Sequence, residues 1–309
     1  MNVYKYINQL TNSYQLEMES TTIEHNDFIF LILDERRQWL VQVKEGESFH
    51  THRGIIEFDD IIGKSYGTCV FSRPHDEQGY KFRVLKPLPS DFVVHMSRKT
   101  QIIYPKDAGL ILMYTGIGPG YNVVEIGSGS GALTCILGHY VKPNGRIYSY
   151  DIRGKSLRQA KKNVQKAGLE DIISVQYGNI FEDDIKHENM DAVVLDMPTP
   201  WATIEKVKPF LKLSGSVVSF SPTIEQAKKT TQALRSHEFI EIKTVELLLR
   251  EMQVKENATR PKSRMIGHSG YLTFGRSIRD EENPYRCIEP EEEEFVSMKG
   301  MPLRGDSEE

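Results

Sequence analysis

Apolar and polar positions over residues 21–86 fall into short β-like runs. DFIFLIL, QWLVQV, GTCVFS and YKFRVL are separated by DERR, KEGES and RPHDEQG. Strands of this length divided by turn-rich segments predict a small β-barrel or sandwich. KPLPSD (86–91) reads as a linker, because its prolines deny both helix and ladder hydrogen bonds. From about residue 106 strands alternate with helices. YNVVEI (121–126) precedes a glycine-rich turn and the helical ALTCILGHYV. GRIYSYD (145–151), a helix over 154–168, DIISVQYG (171–178), MDAVVLD (190–196), TIEKVKPFLK and GSVVSFS (215–221) continue the series. This alternation predicts an α/β fold, a parallel sheet with helices on both faces. EFIEIKTVELLL (238–249) and GYLTFGR (270–276) have no helical pattern between them and predict an antiparallel pair at the end of the sheet. A nineteen-residue connection, 251–269, joins them; loops of that length in a compact domain are commonly functional. The expected organisation is a small β-domain over 1–88, an α/β domain over 89–279 and a tail over 280–309.

Charge changes this picture at the C-terminus. The net charge is −4, but residues 280–309 alone carry eleven acidic and three basic side chains, which leaves +4 for residues 1–279. A polar, acidic segment with few aromatics reads as a disordered tail, and the mildly basic remainder permits an RNA partner. No apolar run reaches membrane-span length; FIFLIL is strand-sized. MNVYKYINQL has no basic start followed by an apolar block, so a cytoplasmic protein without a membrane partner is expected. Cys69, Cys135 and Cys287 lie far apart without ligand spacing, which points away from a disulfide framework and from a metal site.

The candidate chemistry sits where strands end. In VVEIGSGSGALT (123–134), Gly127, Gly129 and Gly131 follow a strand and open a helix, so the backbone can turn tightly and approach a ligand. Ser128, Ser130, Ala132 and Leu133 share the turn, and its amides would face a carboxylate or phosphate. The GxGxG spacing, with Glu125 two residues before it to receive an ammonium, fits S-adenosylmethionine. Glycines alone leave a dinucleotide equally open. Asp151 ends the second strand, where a carboxylate accepts from both ribose hydroxyls. Asn179, in YGNIFED, either reaches an adenine edge or begins a polar turn. Asp196 ends the fourth strand, in AVVLDMPTPW, next to the first strand at the switch point of the sheet. It can accept from an exocyclic amine while Trp201 stacks on or walls a flat base, and Pro198 and Pro200 stiffen the loop. Two basic clusters stand out. Lys155, Arg158, Lys161, Lys162 and Lys166 read as the solvated face of a helix. Arg250, Lys255, Arg260, Lys262 and Arg264 in the long late loop read as phosphate contacts.

With FHTHRG (49–54), MSRKTQIIYPKD (96–107), SPTIEQ (221–226) and RPKSRMIGHSGYLTF (260–274) in order along the chain, residues 24–279 resemble the tRNA (adenine-N1)-methyltransferase family, particularly its archaeal members. The resemblance implies a Rossmann-like class I methyltransferase sheet behind the β-domain, a homotetramer, and methylation of adenine N1 in the T-loop of tRNA at position 58, with 57 as a further site. Carried over, Gln101 and the 127–133 turn would line the cofactor site, Tyr104 would border the target base, and Asp196 would be the main catalytic carboxylate. The chain departs from the family at three places: Asp151 for a usual Glu, Asn179 for a usual Asp, and Met252 for a common Trp. His268 matches and is expected to make a structural hydrogen bond. The rival readings are an isoaspartyl-protein methyltransferase, a nicotinamide oxidoreductase and a non-catalytic RNA-binding subunit.

Overall fold

The computed structural model describes residues 21–73, 79–96 and 102–279. The expected tail over 280–309, Cys287 and Gln101 lie outside the described residues. The N-terminal strands are β1 (Phe28–Asp34), β2 (Arg37–Gln42), β3 (Ser48–Thr51), β4 (Gly54–Glu57), β5 (Cys69–Phe71) and β6 (Lys81–Leu85). Four of them form an antiparallel sheet in the order β2-β1-β6-β5, and β3 and β4 make a separate hairpin. Ile23, Ile29, Leu31, Val43, Ile56 and Phe82 are among the side chains that give this small β-domain its own core. The sequence pattern predicts β1, β2, β5 and β6 but not the β3–β4 hairpin.

KPLPSD is only half a linker. Residues 86–88 are irregular, but Pro89 opens helix α1 (Pro89–His95), where a proline loses nothing because the first helical N–H has no intrahelical partner. Helix α2 (Pro105–Thr115) starts the same way and stops at Gly116 in the left-handed conformation. Then follow β7 (Asn122–Ile126), α3 (Ala132–Tyr140), β8 (Arg146–Asp151), α4 (Gly154–Lys166), β9 (Ile173–Tyr177), β10 (Met190–Leu195), the short α5 (Ile204–Val207), β11 (Leu211–Ser221), α6 (Ile224–Arg235) and β12 (Phe239–Glu246). The two-residue strands β13 (Met252–Gln253) and β14 (Arg260–Pro261) and the final β15 (Tyr271–Ser277) complete the described chain.

The main sheet runs β12-β15-β11-β10-β7-β8-β9. β7 to β11 are parallel, and β15 lies antiparallel between β11 and β12. The sheet is therefore Rossmann-like with an antiparallel end, and its switch point lies between β7 and β10. Helices α1 to α4 cover one face through Val93, Ile111, Ile136 and Leu157. Ile204, Val207 and Leu234 from α5 and α6 cover the other. Buried on both sides, β10 reads Met-Asp-Ala-Val-Val-Leu, a nearly continuous apolar run. Among the described residues no helix is long and apolar enough to cross a membrane.

Candidate active site

Five elements bring their ends to the carboxyl edge of the parallel strands. β7 gives way to the turn 127–131, in which Gly127, Gly129 and Gly131 have φ of +106°, +53° and +79°, a region that favours glycine. A Cβ on Gly127 would lie 1.9 Å from the Asp196 carbonyl oxygen, so the turn and the end of β10 touch backbone to backbone. Asp196 N–H donates to the Ile126 carbonyl at 2.9 Å, and the Gly127 and Ser128 amides donate to the Tyr150 carbonyl at 2.7 and 3.1 Å. Gly131 approaches Ala160 of α4, and Asn163 Nδ2 donates to the Ser130 carbonyl at 2.7 Å. Ala132 and Leu133, both buried, begin α3.

Glu125 lies under this turn. It is 1% exposed, and its Oε2 accepts from Thr134 Oγ1 at 2.6 Å and from Ser149 Oγ, which in turn meets Ser128 Oγ at 2.6 Å. The structure thus encloses Glu125 as a prop for the turn instead of presenting it to an ammonium. Burial pushes its carboxyl up to about 7, against the two hydroxyl donors. Asp151, also buried, has all of its acceptor sites engaged. Oδ1 takes the Arg153 N–H at 2.8 Å and Nε at 3.1 Å, and Oδ2 takes the Gly129 N–H at 3.0 Å and Arg153 Nη2 at 3.1 Å. Asn179 is half-buried after β9; its Oδ1 accepts from the Phe181 N–H at 3.0 Å. That closes the polar turn.

Asp196 differs from all of these. Among the described residues no donor is hydrogen-bonded to its carboxylate, and burial pushes it up to about 7, with Arg153 opposing and Asp151 adding to the rise. Glu125, Asp151 and Asp196 form an acidic group at the end of three adjacent strands. Such a group favours a cationic ligand and holds a lone-pair acceptor ready. The following loop is braced: Gln226 Nε2 donates to the Pro198 carbonyl at 2.9 Å, and Lys229 Nζ lies 4.9 Å from the centroid of the Trp201 ring. One face of that indole is therefore committed to α6, so Trp201 walls the loop with its remaining surface.

Tyr104, the residue before α2, stands at the same edge. Lys106 Nζ donates to Asp107 Oδ1 (2.7 Å), the Leu247 carbonyl (2.7 Å) and Ser269 Oγ (2.6 Å), and Ser269 lies two residues before the pairing of Tyr271 with Ser221, the last residue of β11. Lys106 thereby ties the start of α2 to both ends of the late loop. Tyr104 and Arg264 come together in a cleft of about 500 Å3, with Lys106, Leu249, Met265 and Ile266 in its walls. Arg260 is not there: it pairs in the β13–β14 ribbon and bonds Ser263 Oγ at 2.9 Å. Lys262 is taken by Glu251. His268 bonds Glu246 Oε1 at 2.6 Å and the Pro222 carbonyl at 3.0 Å, and the Glu246 carboxylate raises its pKa. An acceptor at each ring nitrogen favours the doubly protonated ring. Sequence reasoning missed Lys106 and Arg153. Arg153, two residues after a strand-end Asp, had a usable signal; the partners of Lys106, 141 and 163 residues away, had none.

A parallel sheet of this order, with a three-glycine turn on its first strand and carboxylates closing the second and fourth, defines a Rossmann-like S-adenosylmethionine-dependent methyltransferase. The comparisons narrow the class. The family model described as tRNA methyltransferase complex GCD14 subunit matches residues 79–260, and a TrmI-like N-terminal model matches 32–70. A relative from Methanocaldococcus jannaschii, tRNA (adenine(57)-N(1)/adenine(58)-N(1))-methyltransferase TrmI, is 35% identical over 271 residues, covering 80% of this chain and 94% of its own. Two solved structures are similar. One is the SAM-dependent O-methyltransferase of Thermotoga maritima (TM-score 0.77, 30% identity, 85% of this chain and 97% of that one). The other is the tRNA (m1A58) methyltransferase TrmI of Aquifex aeolicus (TM-score 0.71, 25% identity, 84% and 100%). The chain belongs to the tRNA (adenine-N1)-methyltransferase family.

Proposed function

We propose that the protein transfers a methyl group from S-adenosylmethionine to N1 of adenine in the T-loop of tRNA, at position 58 and also at 57, as the name of the Methanocaldococcus relative describes for that enzyme. The observation that carries this reading is the Asp196 carboxylate, which stands at the switch point against Gly127 with no donor of its own among the described residues. The residues fit the cofactor. The glycine turn leaves no room for a side chain, Asp151 suits a ribose diol that displaces the Arg153 guanidinium, and the acidic group suits a sulfonium. When bound, S-adenosylmethionine supplies an electrophilic methyl group. Asp196 accepts from the adenine N6 amine, which raises electron density at N1 and stabilises the positive charge that develops on the ring. Tyr104 borders the base in the cleft it shares with Arg264, and the braced 196–203 loop holds the geometry, so most of the rate comes from alignment. Asn179 and Gln101 complete the adenine and cofactor contacts in this reading. Reaching a base stacked in folded tRNA requires drawing it out into the pocket. The reading also includes a cytoplasmic homotetramer. The exposed Leu248, Leu249, Met252 and Val254 on the late loop support self-association, and light scattering on the purified chain tests it.

The decisive experiment is incubation with unmodified tRNA and methyl-labelled cofactor, followed by nucleoside mapping. 1-Methyladenosine at 57 or 58 is the expected product. Label on aged peptides with none on RNA would establish the isoaspartyl reading instead, and no transfer with intact tRNA binding would leave a non-catalytic subunit.

A further inference from the structure

The sequence pattern made α4 a solvated face and the late loop the phosphate contact; the side-chain partners make α4 a second candidate for phosphate contact. Lys155, Arg158, Lys161, Lys162 and Lys166 are all exposed. At 100° per residue they occupy roughly 140° of the helix circumference, opposite the buried arc of Ser156, Leu157, Ala160, Asn163 and Val164. The helix contains no acid, and among the described residues none of the five cations is ion-paired, whereas Lys262 of the late loop is bound to Glu251. The pairs 158/162 and 162/166 are like charges one turn apart, and Lys155 faces the positive end of the helix dipole. Both features destabilise an isolated helix, so stability of α4 does not explain them.

The stripe also has two defined ends. Lys155 borders a cleft of about 350 Å3 with Gly129, Ser130, Arg153 and Gln159, next to the glycine turn. Lys166 borders a hollow with Phe28, Leu40, Phe92 and Met96, where the small β-domain meets α1. A continuous cationic face about 20 Å long, running from the cofactor edge to the N-terminal domain, matches a polyanionic strand in charge and shape.

We propose that the α4 face binds the sugar–phosphate backbone of the RNA substrate away from the target base, setting its register without reading sequence. This rests on the tRNA reading above. The test measures tRNA affinity of the full chain as a function of salt. The triple variant Arg158→Gln/Lys162→Gln/Lys166→Gln removes the stripe and spares Lys155 at the glycine turn. The variant Lys206→Gln/Lys228→Gln/Arg235→Gln makes the same charge change on helices of the opposite sheet face. Each lost phosphate contact lowers the slope of log K against log salt by about 0.7 to 0.9. The α4 variant should therefore lose about two from that slope and bind tRNA about ten-fold or more weakly, with a Tm no lower than that of the wild type and unchanged affinity for S-adenosylhomocysteine. The control should keep the wild-type slope. Equal losses in both variants, or an unchanged slope in the α4 variant, would overturn the inference while leaving the tRNA reading intact. Tighter RNA binding by the α4 variant would also overturn it and point to the acidic segment 280–309 as the occupant. Absence of tRNA binding by the wild type would overturn both.

Discussion

Asp196 and Arg153 set the chemistry at the residue scale. Asp196 has its pKa raised to about 7, and only its ionised form sets a negative charge against the amine and the ring that becomes positive. Activity is therefore low while the proton stays on and rises as pH passes through about 7, so kcat/KM under subsaturating RNA should climb between pH 6 and 8 and then level. Asp196→Asn removes the negative charge but keeps the shape. Turnover should fall on the order of 100- to 1,000-fold, with affinity for S-adenosylhomocysteine, which lacks the sulfonium, nearly unchanged by calorimetry. A variant with wild-type turnover would remove Asp196 from the mechanism. Arg153 uses Nε and Nη2 on the two Asp151 oxygens that the ribose hydroxyls need, and its side chain is 58% exposed. Asp151 is buried, but solvent screening of the exposed guanidinium keeps the pair near the surface value of up to ~1 kcal/mol. Arg153→Met should then tighten S-adenosylhomocysteine binding by about two- to five-fold. Weaker binding would mean that the guanidinium holds the cofactor instead of competing with it.

At the scale of elements, Lys106 is the fastener between α2 and the late loop. Its side chain and that of Asp107 are 7% and 1% exposed, and among the described residues Asp107 Oδ2 has no hydrogen-bond partner. Lys106→Met would strand a buried carboxylate, a loss of about 3–5 kcal/mol that lowers Tm by roughly 10 °C. Lys106→Met/Asp107→Asn removes the charge as well and should recover part of that loss in a thermal melt. A single variant that melts with the wild type would show the loop to be held by other contacts. This pair also marks the limit of what the sequence makes legible. β7, β8 and β10 announce themselves by apolar runs, and Asp151 and Asp196 by ending them, so the skeleton of the site follows from local pattern. Helix α6 carried a readable signal, the Thr223–Gln226 capping box, but entered the sequence reading only through the SPTIEQ motif. Pro89 reads as a breaker in the sequence, whereas in the structure it opens a helix. The β3–β4 hairpin has mostly half-buried positions without clean alternation, so no period betrays it. The enclosure of Glu125, the commitment of Trp201 to Lys229 and the capture of Lys262 by Glu251 depend on rotamers and long-range packing, which no spacing rule encodes.

Across the whole molecule, the parallel strands converge three carboxylates on one edge, and this carries a consequence for folding. Glu125 rises from an ordinary 4.5, and Asp196 from 3.8, each to about 7. The unfolded chain releases these protons near pH 4, whereas the native state keeps them until about 7. Between those values the native state binds more protons than the unfolded state, so these two groups make stability fall as pH rises through that window. The penalty is fully developed above pH 7 and absent below the ordinary carboxylate range. Glu125→Gln keeps an oxygen for the Thr134 and Ser149 hydroxyls while removing the titration. In urea melts without cofactor, the difference in unfolding free energy between Glu125→Gln and wild type should therefore grow in favour of the variant from pH 5 to pH 8. A cationic ligand offsets the same repulsion, so S-adenosylmethionine should narrow that difference at pH 8 more than uncharged-sulfur S-adenosylhomocysteine does. A difference that stays flat with pH would show that Glu125 is ionised throughout. The acidic edge would then be a charged cradle before any ligand arrives, not one that ionises as the cation binds.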